Sequence, residues 1–228
     1  SHVGMILSFV VFITSLIFIY TILEPAINTP KSKQTLLKNL EIELTEKFSN
    51  RLITSIVANE SNASEHDCLQ INNTRINTAG LNAIVKNKTG EIIKSQIDGE
   101  SLMINWAGNE TNFKIYYSEE LEGNSLSLNC ITPEQNYYQG LITWKNQVFA
   151  SKVIKTVEEY GANYGALKSV LGVPLDSEFG FNFRMDNGTE IKTQEINVSK
   201  NVYVGEFPIQ YVDREANIKF GTLKIKVW

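Results

Sequence analysis

Few residues of this chain have side chains suited to covalent or metal chemistry. It holds two cysteines, Cys68 and Cys130, and two histidines, His2 and His66. Two cysteines are too few for a zinc site of the usual four-ligand kind, so we expect a disulfide between Cys68 and Cys130, with two buried free thiols as the alternative. Closing a loop of that length would stabilise the fold by about 4 kcal/mol in the chain-entropy model. A nucleophilic pair of Cys68 and His66 is disfavoured because a disulfide-bonded thiol does not react as a nucleophile.

No familiar catalytic motif is present in the sequence. It contains no HExxH, GxSxG, Walker or GxGxxG pattern. Two acidic patches, residues 176–178 and residues 186–190, carry the carboxylates that calcium prefers, but solvated turns are the favoured interpretation. We therefore expect a protein that is not an enzyme and that holds no metal and no cofactor, apart from N-linked glycans.

Seven asparagines stand in Asn-x-Ser/Thr sequences, which are acceptors for N-glycosylation in exported proteins. Composition alone, with 23 Asn and 33 Ser plus Thr in 228 residues, predicts roughly three such sequences by chance. The surplus indicates a glycosylated surface and an extracellular location. The acceptors are Asn59, Asn62, Asn72, Asn87, Asn109, Asn187 and Asn197.

The charge balance disfavours one class of partner. Lys plus Arg number 21 and Asp plus Glu number 25, which gives a net charge of −4 at pH 7. Nucleic-acid binding needs a basic face, so we expect no nucleic-acid partner.

The element that precedes these residues is an uncharged apolar run. Residues 3–23 contain no charged side chain, and a helix of that length, at about 1.5 Å per residue, spans the roughly 30 Å hydrocarbon core of a bilayer. Pro25 ends the run, because proline removes a backbone donor and disfavours helix in the residue before it. Thr29 and Pro30 favour the start of a second helix. We therefore predict that the long helix is kinked by an interruption between Pro25 and Pro30.

The stretch after Pro30 has the pattern of an amphipathic helix. Apolar residues recur at spacings of three and four, and Lys and Glu fill the other faces. Residues 1–50 are thus predicted as one long N-terminal helix for assembly and membrane insertion, and residues 51–228 as an extracellular head. The stripe that we expect to pack under the head is Leu37, Leu40, Leu44 and Phe48.

The head has the signals of a β-rich domain. Between residues 51 and 147, short runs of period two are bounded by Gly, Asn and Asp clusters, which predicts a β meander with hairpin turns. Helical spacing at residues 148–171, closed by Gly172 and Pro174, predicts two short helices or one bent helix. Strand patterns then return up to Trp228, which we expect to lie in a paired strand. The predicted fold class is α+β.

Three interpretations compete for the apolar run. A secretory signal peptide is disfavoured because the run is too long and lacks a small-residue cleavage site, which leaves a plain membrane anchor and a polymerisation helix. The run is followed by Lys31, Lys33 and Lys38. By the positive-inside tendency these lysines would place the head in the cytoplasm, whereas the sequons and the cysteines indicate an extracellular head. A basic leader before Ser1, cut off after setting the orientation, would remove this conflict.

This arrangement resembles the type IV pilin superfamily, in particular the archaeal type IV pilins. The resemblance rests on SHVGMILSFVVFITSLIFIYTILEP, with Pro25 near the depth where pilin helices often kink, and on the amphipathic extension to Asn50. It covers about the first 50 residues. Bacterial pilins usually have a Glu at the fifth position, which pairs with a neighbouring N-terminal amine. This chain has Met5 there, which favours an archaeal relative.

The resemblance implies a function and a set of partners. A prepilin peptidase would remove the leader, the pilus assembly machinery would take the helix out of the membrane, and copies of this chain would form a helical filament for adhesion or cell-surface contact. The alternative is a single-span membrane-anchored surface protein, or a minor pilin, whose β-rich head binds a ligand. The residues expected to pack in the filament core are Met5, Phe9, Phe12, Leu16 and Phe18.

Overall fold

The computed structural model describes residues 2–59, 68–105, 111–123, 133–194 and 201–228, and within the N-terminal helix it places the side chains of residues 4–21 and 31–48. The fold is α+β: an N-terminal helix with an apolar first half leads into a β-rich head. The helices of the described ranges are α1 (His2–Phe48), α2 (Ala150–Ala162) and α3 (Tyr164–Val170). The strands are β1 (Ser49–Asn59), β2 (Cys68–Asn72), β3 (Asn82–Lys86), β4 (Ile92–Ile93), β5 (Ser95–Asp98), β6 (Ser101–Asn105), β7 (Asn112–Ser118), β8 (Pro133–Glu134), β9 (Tyr137–Phe149), β10 (Phe179–Arg184), β11 (Glu190–Lys192), β12 (Tyr203–Val212) and β13 (Ile218–Val227).

α1 is the longest element and leads directly into the head. It is continuous from His2 to Phe48, and Ser49 is already the first residue of β1. The predicted interruption between Pro25 and Pro30 is therefore wrong at the level of secondary structure, and a bend at these prolines stays a prediction. A proline fixes φ near −65°, which is itself a helical value, so each ring removes one backbone hydrogen bond without requiring the helix to end.

The larger sheet consists of two antiparallel halves that meet at a short seam. Its nine strands follow the order β11-β10-β13-β12-β9-β1-β7-β3-β4. The central strands β9 and β12 are parallel and pair only at their last residues, Val148 with Tyr211 and Phe149 with Val212. Val148 also lies opposite Ser49 in the register of β1 and β9. Helix α1 therefore ends at the seam where the two halves join.

The smaller sheet packs against the inner face of the N-terminal half. Its order is β5-β6-β2-β8. The predicted meander is wrong in its connections, because the chain leaves the large sheet after β1 and returns to it at β3. A period of two marks strands and their buried faces but does not say which strands pair. The core between the sheets contains Ile53, Val57, Leu69, Ile71, Val85, Leu102, Ile104, Phe113, Ile115 and Tyr117.

A second core lies under the C-terminal half of the large sheet. The second half of α1, together with α2 and α3, covers β10, β12 and β13 there. The two short helices occupy the region where helical spacing predicts them. α3 is followed by Gly172 at φ +65°, a left-handed conformation that glycine adopts at little cost and that closes a helix. The aromatic residues of this core are Phe48, Tyr160, Phe179, Phe181, Phe183 and Tyr211.

Candidate assembly surface

The first half of α1 presents an apolar surface that no other described part of the chain covers. Residues Gly4–Thr21 have a mean hydropathy of 2.2, and none of them is buried. By length and composition this segment is able to cross a membrane, a test that signal sequences near an N-terminus also pass. The residues predicted for the filament core all lie in it, with exposed fractions of 77% for Met5, 64% for Phe9, 59% for Phe12, 46% for Leu16 and 66% for Phe18.

These side chains lie on two opposite sides of the helix. Met5, Phe9, Phe12 and Leu16 recur at spacings of four, three and four residues, which puts them on one stripe of a helix with 3.6 residues per turn. Phe18 comes two residues after Leu16 and therefore lies on nearly the opposite side. Large apolar side chains thus lie on opposite sides of the helix, so it can contact apolar neighbours in more than one direction at once.

A shallow groove on this surface is formed by small side chains between larger ones. Ser8 and Ser15 stand seven residues apart, on the same face as Val11, and Leu7 and Phe12 border them. Small residues on a helix allow a neighbouring helix to approach closely. The groove therefore marks the least bulky face of the segment.

Two hydroxyl groups of the segment form hydrogen bonds within the helix itself. The Oγ1 of Thr14 lies 3.0 Å from the carbonyl oxygens of both Val10 and Val11. The Oγ1 of Thr21 donates to the carbonyl of Phe18 over 2.9 Å. A hydroxyl that donates to its own helix carries a smaller penalty when it enters an apolar environment. Both threonines therefore suit a lipid or helix-bundle environment.

The second half of α1 is packed against the head. Leu40, Leu44 and Phe48 have no exposed surface, and Leu37 is 7% exposed. The ring of Phe48 lies 5.5 Å from the ring of Phe181 on β10. The four residues predicted to pack under the head thus lie in the core that α1 shares with β10, β12 and β13.

Polar contacts accompany this packing at both ends of the packed half. Near its start, the Nζ of Lys33 donates to the Oγ of Ser177 over 2.7 Å and to the carbonyl oxygen of Trp228 over 3.2 Å. Near its end, the Nζ of Lys47 lies 2.9 Å from a carboxylate oxygen of Glu159 on α2. These contacts fix the direction in which the helix leaves the head.

A buried carboxylate lies where α1 passes into β1. The side chain of Glu120 is only 4% exposed and pairs with the Nζ of Lys155 on α2 at 2.9 Å. The Nδ2 of Asn50 donates to the same carboxylate over 3.4 Å. Burial acts to raise the pKa of Glu120, but the hydrogen bonds and the charge of Lys155 outweigh it and hold this pKa below its usual value.

The predicted glycosylation sites differ in their exposure. Asn72 and Asn187 are exposed, and Asn87 is half-buried. Asn59 is only 7% exposed, which disfavours the glycan predicted there, because a glycan needs the amide nitrogen at the surface. Three further acceptors lie outside the described residues: Asn62, Asn109 and Asn197.

Cys68 is the first residue of β2, is buried and is disulfide-bonded. Cys130 lies outside the described residues. Over the described ranges, no group of three or more His, Cys, Asp or Glu side chains could hold a metal ion.

The acidic patches considered for calcium contain paired carboxylates. Glu178 pairs with Lys168, whose Nζ lies 2.9 Å away. Asp186 accepts a hydrogen bond of 2.7 Å from the hydroxyl of Tyr211, and this bond holds the pKa of Asp186 below its usual value. Both carboxylates therefore have protein partners that fix their orientation.

The junction residues Asn50, Glu120 and Lys155 were not predicted from the sequence. Glu119 and Glu120 are adjacent and chemically identical, yet Glu119 is exposed and Glu120 is buried. No local pattern distinguishes them, because the partners of Glu120 come from α2 and from the start of β1. Only the three-dimensional arrangement reveals this contact.

No protein-family model, no curated protein and no solved structure matches this chain. Support for a function therefore comes from α1 and the head themselves.

Proposed function

We propose that this chain is a structural subunit of an archaeal type IV pilus-like extracellular filament, which assembles through the first half of α1 and serves adhesion or cell-surface contact without catalytic turnover. The observation that carries the proposal is the division of one continuous helix. Residues 31–48 contribute five buried leucine and phenylalanine side chains to the head core, while none of Gly4–Thr21 is buried.

The exposed half requires an apolar environment outside its own chain. Burying a large apolar side chain contributes roughly 1.5–3 kcal/mol relative to exposure in water, so a surface that includes Met5, Phe9, Phe12, Leu16 and Phe18 is strongly unfavourable in water. In a bilayer, the lipid chains provide an apolar environment for this surface. The hydrophobic effect then contributes little to association between the helices. Outside the bilayer, copies of the same helix provide the apolar environment.

Such contacts produce a filament when they are heterologous. An all-round apolar helix contacts neighbours on several sides, and contacts between different faces do not close on themselves unless the rotation happens to complete a ring. The head, fixed to the helix by Lys33, Lys47 and the packed leucines, would then form the outer surface. Processing by a prepilin peptidase, passage through the membrane and an extracellular, glycosylated final state belong to the same proposal.

Negative-stain images of material sheared from cells test this function. We expect regular fibres that contain this chain. Replacing Phe9 by Asp should abolish the fibres, because a charge would be buried in the helix bundle, while Phe9→Leu, which keeps the apolar surface, should leave them intact. Asn201→Asp at an exposed position of the head controls for the added charge. Fibres that persist unchanged in Phe9→Asp would contradict a core role for the helix.

A second candidate function is a single-span membrane-anchored surface protein with a ligand-binding head. The observation that favours it is that Gly4–Thr21 has the length and hydropathy of a membrane span. It predicts that the chain is recovered only from detergent-solubilised membranes, as a monomer. That result would exclude the filament, and fibres in the sheared fraction would exclude the simple anchor.

The extracellular, glycosylated state has its own test. Intact mass of protein isolated from cells should exceed that of the bare chain, and peptide mapping should find glycans at Asn72 or Asn187 but not at the buried Asn59. A mass equal to that of the bare chain would remove the support that the sequons give to an extracellular location.

A further inference from the structure

The head contains a pocket with mixed polar and apolar walls between its two sheets. One wall is the segment that leads into β3 together with the start of β3, with Thr78, Leu81 and Asn82, and the other is β5, with Ser95, Gln96 and Ile97. Its volume of about 440 Å³ falls within the range of roughly 300–1,000 Å³ that is usual for small-molecule sites. The pocket lies far in sequence from α1 and plays no part in the proposed assembly.

One buried hydroxyl in this pocket lacks a partner among the described residues. Ser95 is 2% exposed, and its Oγ forms no hydrogen bond with any described residue. Leaving a buried donor and acceptor unpaired costs about 1–3 kcal/mol. Ser95 is among the residues that line the pocket, so a ligand hydroxyl that hydrogen-bonds to its Oγ would remove this cost.

The walls of the pocket are held in place before any ligand binds. The Oγ1 of Thr78 donates to the carbonyl of Gly99 over 3.3 Å, which links the turn before β3 to the turn after β5. The Nδ2 of Asn82 donates to the carbonyl of Leu121 over 2.9 Å and fixes the third segment at the pocket. Gly99 has φ +59°, a conformation that other residues rarely adopt. Binding of a ligand therefore requires little further ordering of the pocket walls.

The lining specifies the chemistry of the ligand. No charged side chain lies among the described residues that line the pocket, so nothing there would compensate a charged ligand. Hydroxyl and amide groups of Ser95, Gln96 and Asn82 alternate with the apolar side chains of Leu81 and Ile97. A saccharide has the matching properties, since its hydroxyl groups form hydrogen bonds while its ring carbons present an apolar face.

We propose that this pocket binds a neutral saccharide. The function lies beyond filament formation, because the head should bind the saccharide whether or not α1 assembles. A cell-surface protein with such a site would attach to neutral glycans.

Saturation-transfer NMR on the full chain in micelles tests the proposal. The detergent must lack a sugar headgroup, for which an amine oxide is suitable, because maltoside or glucoside detergents would compete. The probes are methyl glucoside, methyl galactoside, methyl mannoside, N-acetylglucosamine, lactose and cellobiose at millimolar concentration, with gluconate and glucosamine as charged counterparts. We expect saturation transfer to at least one neutral probe and weaker transfer to the charged ones. Absence of transfer to every neutral probe would overturn the proposal.

Two variants assign any binding to this pocket. Ala79→Trp, at an exposed position of the wall, should fill the mouth and abolish binding, while Ala162→Trp at the end of α2 should leave it unchanged. Ser95→Ala should weaken binding about 5- to 10-fold, as expected for one hydrogen bond, without lowering the melting temperature, because it removes an unpaired hydroxyl. Binding that survives Ala79→Trp would overturn the proposal, as would a Ser95→Ala variant that melts lower and binds equally well. Since all measurements use monomers in micelles, they do not depend on whether filaments form.

Discussion

The two halves of α1 are one helix with two different environments. Both are rich in large apolar side chains, yet Leu40, Leu44 and Phe48 are completely buried while Phe9 and Phe18 are about two-thirds exposed. The difference follows from the pattern. In the second half, apolar residues keep to one stripe and Lys and Glu occupy the rest, so the helix can pack on one surface and face water elsewhere. In the first half large apolar side chains lie on opposite sides of the helix, so one surface of the head could not cover them all.

This comparison separates two contributions to stability. Apolar contacts of the second half act within the chain and contribute to the free energy of unfolding of the head. Apolar surface of the first half contributes nothing to that quantity in the described structure and is available for intermolecular contacts. A substitution should therefore have a different consequence depending on which half carries it.

The largest contrast is expected for the same substitution in the two halves. Phe48→Ala should lower the free energy of unfolding of the head by about 3–5 kcal/mol, because it opens a cavity against Phe181 and its neighbours. Phe9→Ala should change it by less than about 0.5 kcal/mol, as for other exposed positions. Urea unfolding in micelles, followed by tryptophan fluorescence, measures both. Equal losses in the two variants would show that the first half also packs on the head.

A smaller loss is expected at the buried carboxylate beside the end of α1. Glu120→Gln keeps the shape of the side chain but places an amide where Lys155 and Asn50 both donate. We expect the free energy of unfolding to fall by about 1–3 kcal/mol. The matched control is Glu119→Gln at the exposed neighbouring position, which should have almost no effect.

The pH dependence of the same residue provides the check. Because the pKa of Glu120 is lower in the folded protein than its usual value, its contribution is complete above the unfolded pKa of about 4.3. It is lost as the pH falls below that value and through the lower folded pKa. Glu120→Gln should therefore lose less stability on acidification than the parent chain does. Parallel pH profiles for the two proteins would contradict the assignment.

The elements of the fold can be read from the sequence better than their arrangement. The spacing of Leu37, Leu40, Leu44 and Phe48 identifies the stripe that the structure buries, since helical periodicity is a local property. The seam between β9 and β12 joins Val148 to Tyr211, residues that are far apart in the chain. No local pattern specifies such a pairing, and the strand order consequently differs from the predicted meander.

The prolines show a different limit of sequence reasoning. Pro25 and Pro30 are strong signals for the end of a helix, and the structure nevertheless continues α1 through both. A proline costs one backbone hydrogen bond and favours a kink, but long apolar or amphipathic segments on both sides favour a continuous helix. Similarly, nothing in the sequence indicates that the Ser95 hydroxyl is buried with no hydrogen-bond partner among the described residues. Burial of a single polar residue depends on contacts between distant strands.

A smaller loss of stability than at Glu120 is expected at the start of the second, packed half of α1. Lys33→Met should lower the free energy of unfolding by about 1 kcal/mol, because it removes the hydrogen bonds to Ser177 and Trp228 while keeping the apolar stem. Lys31→Met, two residues earlier and exposed, is the matched control and should change little. Hydrogen exchange should quicken in residues 33–37 of Lys33→Met. Unchanged exchange there would mean that the leucine contacts alone fix this end.

The smallest effect is expected for the ion pair between α1 and α2. Lys47 and Glu159 are partly exposed, at 26% and 40% of their side-chain surface, so solvent screens their attraction. A double-mutant cycle with Lys47→Met and Glu159→Gln should give a coupling energy of about 0.2–1 kcal/mol. The coupling should shrink as salt is raised to 1 M, where the Debye length falls to about 3 Å. A coupling that does not respond to salt would indicate that Lys47 acts through its packed stem, as the leucines of the same half do, and that charge adds nothing to the attachment of the helix.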